Sequence, residues 1–171
     1  MVFTLSPITE DDARAISGWC YDPPYSIYNI DPDAANVLMD PIHNYHSVWD
    51  EDGNIVGYFC YGVDARVRAG VELGLYPEDS LDLGLGMRPD LTGQGLGGRF
   101  VQAGLNLAEA KYSPDGFRLT VAAFNKRAIR VYKNCGFKVQ TTFGRTPSGE
   151  PEWILMQKNI QSSRLNPNEI G

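Results

Sequence analysis

Glycines cluster near the middle of the chain, in the decapeptide RPDLTGQGLG at positions 88–97. This segment follows a strand-like run at 80–87 and precedes a helix-like run at 98–111. A glycine turn at the start of a helix leaves several backbone N–H groups unpaired, and the helix dipole adds partial positive charge there. Because no side chain blocks the approach, the sequence predicts that this turn binds a phosphorylated cofactor.

The same turn fits part of two nucleotide-binding motifs. Gly93, Gly95 and Gly98 satisfy the dinucleotide fingerprint G-x-G-x-x-G. That fingerprint opens a long series of βαβ units, whereas only about 70 residues follow it here. Asp115 has the approximate spacing of a ribose-binding acid but lies in SPDG, a turn signature. A nucleotide-binding oxidoreductase is therefore disfavoured, and a Walker loop is excluded because no Gly-Lys-Ser/Thr follows.

A second segment, NKRAIRVYKNCGF at 125–137, decides between these alternatives. Read with TGQGLG at 92–97, it resembles the GNAT superfamily of acyl-CoA-dependent N-acyltransferases. That family has a Q/R-x-x-G-x-G/A turn after its fourth strand and, further along, a helix with the pattern Asn-x-x-Ala…Tyr…Gly-Phe. The resemblance covers residues 81–143 well and the rest by general layout. Thr92 departs from it, because the family usually has Gln or Arg there.

The resemblance implies a single α/β domain over residues 1–158, followed by a polar tail at 159–171. The implied fold is GNAT-like, with a mixed, mostly antiparallel sheet of about six or seven strands and helices on both faces. Acetyl-CoA is the implied co-substrate, its pyrophosphate accepting hydrogen bonds from the backbone of the glycine turn. The expected cofactor contacts are Leu85, Met87, Thr92, Gly93, Gln94, Gly95, Leu96, Gly97, Asn125, Arg127, Ala128 and Tyr132.

The strand at 81–87 alternates leucine and methionine with Asp82, Gly84 and Gly86. Glycine weakens a strand unless something approaches its backbone closely. We expect the pantetheine arm of CoA to lie there and to pair with the main chain like an added strand. A bulge or tight packing within the sheet is the alternative explanation of these glycines.

The chemistry implied by the resemblance is direct acyl transfer to an amine. Tyr132 occupies the family's tyrosine position, where its hydroxyl would protonate the departing thiolate, a group with a reference pKa of about 8.5. Backbone N–H groups near Leu85 or Met87 would stabilise the carbonyl oxygen. For the base, Asp82, Glu72 and a water chain remain open, and Asp82 could equally serve in structural hydrogen bonding. A non-catalytic acyl-CoA-binding regulatory domain is the alternative function.

Charge is divided unequally along the chain, whose overall net charge is −6. Residues 1–85 carry a net charge of −12 and residues 86–171 carry +6. We expect the basic half to hold the anionic cofactor and the acidic half to attract a cationic amine, either a small molecule or a protein N-terminus. Segments 19–30 and 64–79 are the expected acceptor site, with Tyr21, Tyr25 and Tyr28 along one wall.

Composition excludes several other classes of protein. The 171 residues, 43% hydrophobic and 21% charged, suit one globular domain. No apolar run approaches the length of a membrane span, and the acidic balance disfavours nucleic acid. Cys20, Cys60 and Cys135 are far apart and read as reduced thiols in the cytoplasm, with no metal site expected from them or from the two histidines. The oligomeric state stays open, a homodimer included.

Local signals predict the remaining elements. Thr9 should cap a first helix, and Asn125 should cap a helix that ends at Gly136. A second helix is expected over 33–39, and the stretch 64–79 is expected to be irregular. Further strands are expected at 2–5, 46–49, 55–63, 117–123, 138–143 and 153–158, with turns at 51–54 and 146–149.

Overall fold

The computed structural model describes residues 1–144 and 151–160. Within them, seven strands form one sheet: β1 Thr4–Pro7, β2 Tyr45–Trp49, β3 Ile55–Tyr61, β4 Leu81–Met87, β5 Gly116–Ala122, β6 Lys138–Phe143 and β7 Trp153–Asn159. The helices are α1 Glu10–Ser17, α2 Ala35–Met39, α3 Arg68–Glu72, α4 Gly97–Tyr112 and α5 Lys126–Asn134. Short 3-10 turns complete the connections, among them Val63–Ala65 and Pro89–Leu91.

The sheet has the strand order β1-β2-β3-β4-β5-β7-β6. Every neighbouring pair is antiparallel except β4 and β5, which are parallel. This parallel pair is short: only Leu81 with Phe117 and Asp82 with Arg118 are in register. The predicted mixed, mostly antiparallel sheet is confirmed, and β4 and β5 part after Asp82.

Helices cover both faces of the sheet, as expected. On one face, Phe100 and Leu105 of α4 are buried against β3, and Gly104 of the same helix lies over the ring of Phe59. On the other face, α1 and α2 bury a smaller apolar cluster that contacts Tyr58, the neighbour of Phe59 along β3. Because successive strand residues point to opposite faces, β3 takes part in both layers.

The predicted helix caps are present. Thr9 and Asp12 form a capping box at the start of α1, each side chain bonded to the other's backbone N–H. Asn125 Oδ1 accepts a hydrogen bond of 3.1 Å from Ala128 N–H at the start of α5. Gly136 follows the end of α5 with a φ of +92°, a conformation that glycine adopts without strain. These caps fix where the two helices begin and where α5 ends.

Several elements differ from the expected boundaries: β1 lies at Thr4–Pro7 rather than 2–5, β3 ends at Tyr61 rather than 63, and α2 begins at Ala35 rather than 33. The stretch 64–79, expected to be irregular, contains α3. The sequence has no helical signal there, because Val71 is exposed and the one buried residue of α3 is a glycine. At the C-terminal end, β7 includes Asn159, and Ile160 N–H donates to Asp115 O. The last strand therefore extends one residue past the expected end at 158. The expected turn at 146–149 and the rest of the tail lie outside the described residues.

Candidate active site

A cleft of about 880 Å³ opens where β4 and β5 part. Its walls are the second half of β4, the residues 91–98 that contain the glycine turn, and the start of α5. Gln94, a predicted cofactor contact, is the one member of 91–98 that does not line it. Because β5 stops pairing with β4 after Asp82, the edge of β4 beyond that residue faces the cleft. A parted parallel pair in the middle of a sheet is thus the feature that creates the site.

The hydrogen bonds of β4 show which main-chain groups face this cleft. Arg88 N–H donates to Val56 O at 2.8 Å, and Asp82 O accepts from Gly62 N–H at 2.9 Å, so the even-numbered residues bond toward β3. Main-chain groups alternate in direction along a strand. Leu85 and Met87 therefore direct their N–H and C=O groups into the cleft, where the sequence had placed contacts to the cofactor.

The glycine turn presents free backbone donors at the end of the cleft. Gly93 and Gly95 have φ values of +79° and +76°, in the region that side-chain-bearing residues rarely adopt. Within the described residues, the N–H groups at 93–96 donate no hydrogen bond. Gln94 Nε2 donates to Asp90 O at 2.7 Å and Thr92 Oγ1 donates to Pro89 O at 2.8 Å, so both side chains brace the turn. This geometry fits a diphosphate.

Cations from α5 line the same end of the cleft. Lys126, Arg127 and Arg130 all contribute to its lining. A Cβ atom at Gly93 would lie 3.2 Å from Nη1 of Arg127, which places this guanidinium beside the free amides. The Arg127 guanidinium also lies 4.9 Å from the ring centroid of Tyr25, a cation–π distance. The cations add charge for an anionic group to the backbone donors.

Tyr132 reaches the cleft from α5. Its side chain is 9% exposed, lines the cleft and contacts the ring of Phe137. Burial raises the pKa of this phenol, with further contributions from Tyr28, Cys135 and Tyr21. The hydroxyl makes no hydrogen bond within residues 1–144 and 151–160. It is therefore a protonated donor without a protein acceptor in that part of the chain.

The sequence model of the family described as "Acetyltransferase (GNAT) family" matches residues 10–137, well over half of the chain. The chain is a member of the GNAT acetyltransferase family. A search of the curated proteins finds none whose sequence matches it.

Solved structures share the fold of this GNAT protein at low sequence identity. One is a chimera of the spermidine N-acetyltransferase SpeG of Vibrio cholerae and hSSAT, with a TM-score of 0.71, 16% identity, and coverage of 93% of this chain and 96% of that one. Another is AAC(6')-Ib in complex with ribostamycin and coenzyme A, with a TM-score of 0.71, 18% identity, and coverage of 97% and 99%. A third is a GNAT acetyltransferase from Bacillus anthracis, with a TM-score of 0.71, 14% identity, and coverage of 93% of this chain and 95% of that one.

The glycines of β4 in this GNAT protein have a different role from the one expected. A Cβ at Gly86 would lie 2.4 Å from the ring of Tyr58, and one at Gly84 would lie 2.5 Å from Sγ of Cys60. Side chains of β3 thus fill the space that the sequence analysis reserved for the pantetheine arm. The arm is left with the outward main-chain groups of Leu85 and Met87. Tight packing within the sheet, the alternative explanation, accounts for the two glycines.

Gly97 also has a packing role. A Cβ there would lie 2.9 Å from Cγ2 of Val131, so α5 packs tightly against the start of α4 at this glycine. Gly95, by contrast, has no atom within 4 Å of its missing Cβ and is explained by its backbone conformation alone. The glycines of the turn therefore serve two purposes that the sequence pattern does not separate.

The structure places Asp82 away from the cleft, contrary to its candidacy as the base. Its carboxylate is 2% exposed and bonds to Nε of Arg118 at 2.6 Å and to Nε of Arg66 at 2.7 Å. Both carboxylate oxygens are therefore bonded to guanidinium groups, and Asp82 does not line the cleft. Glu72, the second candidate, is exposed, bonds to Arg68 on α3, and does not line the cleft.

Aromatic residues of the segment between α1 and α2 bridge the parted strands. Tyr21 donates from its hydroxyl to Met87 O at 2.6 Å, and burial raises the pKa of this phenol to about 12. The Tyr28 hydroxyl accepts from Ala122 N–H of β5 at 3.2 Å. The expected aromatic wall is thus present, and it also satisfies main-chain groups on both edges.

The other end of the cleft contains residues that the sequence analysis left unassigned. Tyr45 and Tyr58 line it from β2 and β3, with Asp64 and Arg66 beside them. Only the pairing of β2, β3 and β4 brings these positions together, so no local motif marks them. Asp64 does fall within the segment 64–79 expected to form the acceptor site.

Neither a metal site nor a membrane span is found in the described part of the chain. No group of three or more histidine, cysteine, aspartate or glutamate residues there could hold a metal ion. None of the helices there has the length and apolar character needed to cross a bilayer.

Proposed function

We propose that this protein transfers an acetyl group from acetyl-CoA directly to an amine, a small molecule or a protein N-terminus. The observation that supports this most strongly is the cleft between β4 and β5, which combines unpaired main-chain groups with free amides at 93–96 and basic side chains. Membership of the GNAT family supports the acyltransferase class. Solved neighbours bound to coenzyme A support the choice of donor.

The residues present fit acetyl-CoA along the length of the cleft. The amides of the glycine turn and the cations Arg127 and Arg130 would hold the diphosphate. The main chain of Leu85 and the N–H of Met87 would pair with the pantetheine arm, since Met87 O already accepts from Tyr21. Asn125 Nδ2, now 3.4 Å from the Tyr28 hydroxyl, would contact an amide of the arm. The thioester supplies an acyl carbon activated for attack by an amine.

The transfer balances without a covalent enzyme intermediate. The neutral amine nitrogen attacks the acyl carbon, an N–C bond forms, and the C–S bond breaks with its electron pair leaving on sulfur. Backbone N–H groups of Leu85 or Met87 stabilise the carbonyl oxygen. Tyr132 donates its proton toward the sulfur, the amine proton leaves to water or to a carboxylate of the cleft, and Tyr132 regains a proton from solvent to complete the cycle. Positioning of the two substrates provides much of the remaining acceleration.

Thermal unfolding with candidate cofactors tests the donor. Acetyl-CoA and CoA should raise the unfolding temperature, because a ligand that binds only the folded state stabilises it. NAD and ATP, at equal concentration, should not raise it. Stabilisation by NAD in the absence of any response to CoA would contradict the proposal.

Thiol release across a panel of amines then separates an enzyme from the alternative, a non-catalytic acyl-CoA-binding domain. An enzyme releases free CoA in proportion to added amine, whereas a binding domain shifts in unfolding temperature without releasing thiol. The free cysteines Cys20, Cys60 and Cys135 lead us to propose a cytoplasmic location for this single-domain protein. Cell fractionation would test that location.

A further inference from the structure

We propose that the amine acceptor is a monoamine with an apolar or aromatic body, and that Asp64 binds its nitrogen. This inference rests on the proposed function and adds a class of acceptor and a residue that recognises it. It comes from the end of the cleft opposite the glycine turn, which contains Asp64, Tyr45, Tyr58 and Arg66.

The fold holds Asp64 against the part of β4 that opens the cleft. Asp64 lies in the 3-10 turn Val63–Ala65, which follows β3 directly. A Cβ at Gly84 would lie 3.3 Å from Cα of Ala65, so this turn lies on β4 two residues after the last pair with β5. The carboxylate therefore lies in the cleft near the unpaired main chain of Leu85.

The side chain of Asp64 is positioned yet accessible. Its Oδ1 atom lies 2.7 Å from Nδ1 of His43, and the carboxylate is 22% exposed. Within the described residues, its Oδ2 atom makes no hydrogen bond. Burial first, and the negative charge of Asp64 in addition, raise the pKa of the neighbouring Cys60 thiol to about 12. One carboxylate oxygen is thus fixed by His43 while the other is free to accept an N–H of the acceptor.

The walls around this carboxylate are aromatic. The rings of Tyr45 and Tyr58 lie 6.0 Å apart, and Trp19 extends the cluster at 6.5 Å from Tyr58. Burial raises the pKa of both tyrosines, so they are neutral near pH 7. Aromatic faces bury hydrocarbon and also attract a single ammonium group. This surface suits an amine whose remaining atoms are apolar or aromatic.

Charge at the cleft disfavours acceptors with several ammonium groups. Among the described residues that line it, Asp64 is the one carboxylate, alongside the cations Arg66, Lys126, Arg127 and Arg130. A polyamine or an aminoglycoside would bring further positive charges to a cleft that offers, among these residues, no second carboxylate to receive them. The acceptor class therefore differs from those named for the spermidine and aminoglycoside enzymes that share the fold.

Calorimetry on the CoA-loaded protein tests this inference independently of turnover. Phenethylamine should bind, and 2-phenylethanol, which has the same body without the amine, should bind about tenfold more weakly or not at all. Spermidine and ribostamycin should bind more weakly than phenethylamine. Equal binding of the amine and the alcohol, or tighter binding of spermidine, would overturn the proposal.

Variants of the carboxylate identify the residue. Asp64→Asn should weaken phenethylamine about tenfold or more while leaving CoA affinity within about twofold, since a charge-assisted hydrogen bond is lost at one end of the cleft only. Asp64→Glu should recover much of the affinity, and Glu72→Gln, an exposed acid outside the cleft, should change nothing. Unchanged amine binding in Asp64→Asn would refute the assignment. Absence of thiol release with every amine tested would contradict the proposed function instead.

Discussion

Tyr132 combines burial with a hydroxyl that no described group accepts. Burial raises the pKa of this phenol, so it stays protonated across the neutral and mildly alkaline range. Proton donation to a departing thiolate requires that protonated form, and positioned acids contribute about a hundredfold or more to rate. The position of Tyr132 in the cleft is therefore consistent with the proposed acid.

Tyr132→Phe removes the hydroxyl and keeps the ring that packs on Phe137. We expect kcat to fall about a hundredfold, with KM for acetyl-CoA changed little, because the lost interaction forms mainly as the C–S bond breaks. Steady-state thiol release measures both constants. Tyr112→Phe, outside the cleft, is the matched control and should retain full rate. Undiminished turnover in Tyr132→Phe would remove Tyr132 from its role.

The core requires glycine at position 104, because a side chain there would collide with Phe59. A Cβ there would lie 2.3 Å from the ring of Phe59, which is fully buried. We expect Gly104→Ala to reduce the free energy of unfolding in urea by about 1–3 kcal/mol. Gly98→Ala, in the same helix with open space around the missing Cβ, should cost nothing and could gain up to about 1 kcal/mol. Equal stability of the two variants would contradict the packing argument.

These glycines also mark the limit of prediction from sequence. Gly93 and Gly95 were readable because a glycine pattern between a strand and a helix has a known backbone consequence. For Gly84 and Gly86 the sequence leaves two explanations open, because the groups that fill their space, Cys60 and Tyr58, come from another strand. The register between β3 and β4 decides that contact, and no local pattern encodes it.

At the level of elements, Asp82 and Arg118 join β4 to β5 where the two strands still pair. Arg118 is 2% exposed and bonds to Asp82 through Nε and Nη2, while Arg66 bonds to the same carboxylate. Tyr76 lies beneath both guanidinium groups. The cluster thus lies immediately before the point where the strands part and fixes where the cleft begins.

Asp82→Asn should destabilise the protein by about 3–5 kcal/mol, because it leaves the buried Arg118 with only the exposed Asp79 as a carboxylate partner. Urea unfolding measures the loss. Glu72→Gln removes an exposed helical ion pair and should stay within about 0.5 kcal/mol of the parent. Wild-type stability combined with abolished turnover in Asp82→Asn would instead restore Asp82 as a candidate base.

His46 links β2 to α4 in a form that is neutral. Its Nδ1–H donates to Asn44 O at 3.1 Å, and its Nε2 is 3.3 Å from Lys111 Nζ, which only donates. Burial, and the nearby Lys111 charge in addition, lower the pKa of this imidazole, against the raising effect of the Asn44 carbonyl. The His46 side chain is thus held without a proton on Nε2 when the protein is folded.

This lowered pKa predicts a pH dependence of stability. Below about pH 6.5 the unfolded state binds a proton at His46 that the folded state does not, so the free energy of unfolding falls as pH drops through that window. Above pH 6.5 both states are neutral at this site and the contribution is constant. Urea unfolding between pH 7.5 and 5.5 should show a smaller decrease in His46→Gln than in the parent. Identical slopes would refute the assignment.

Element boundaries were predictable where a cap or a turn is local. Thr9 and Asn125 mark the starts of α1 and α5, because each side chain accepts a hydrogen bond from the backbone N–H three residues later. α3 gave no such signal, since Val67 before it makes no side-chain cap. The placement of Asp64, Tyr45 and Tyr58 around one cavity depends on strand order. The sequence therefore predicts the segment that contains Asp64 but not which other residues surround it.

For the whole molecule, the division of charge and the division of the sheet nearly coincide. β1 to β4 belong to the acidic first half of the chain, while β5 to β7 and the basic α5 belong to the second. The cleft lies between these halves, so an anionic donor held by α5 and a cationic acceptor drawn to Asp64 would enter from opposite sides. Bound acetyl-CoA would then connect two half-sheets that share only two register pairs.

Hydrogen exchange tests this bridging role across the whole molecule. The amides of Leu85 and Met87 face the cleft and lack β5 as a partner. Binding of acetyl-CoA at a hundredfold excess over its Kd should stabilise the fold by about 2.7 kcal/mol. Amides along that edge should gain the most protection, and those of β6, none of whose residues lines the cleft, should gain only the global increment. Protection confined to other strands would show that the arm binds elsewhere and would contradict the main-chain pairing proposed for β4.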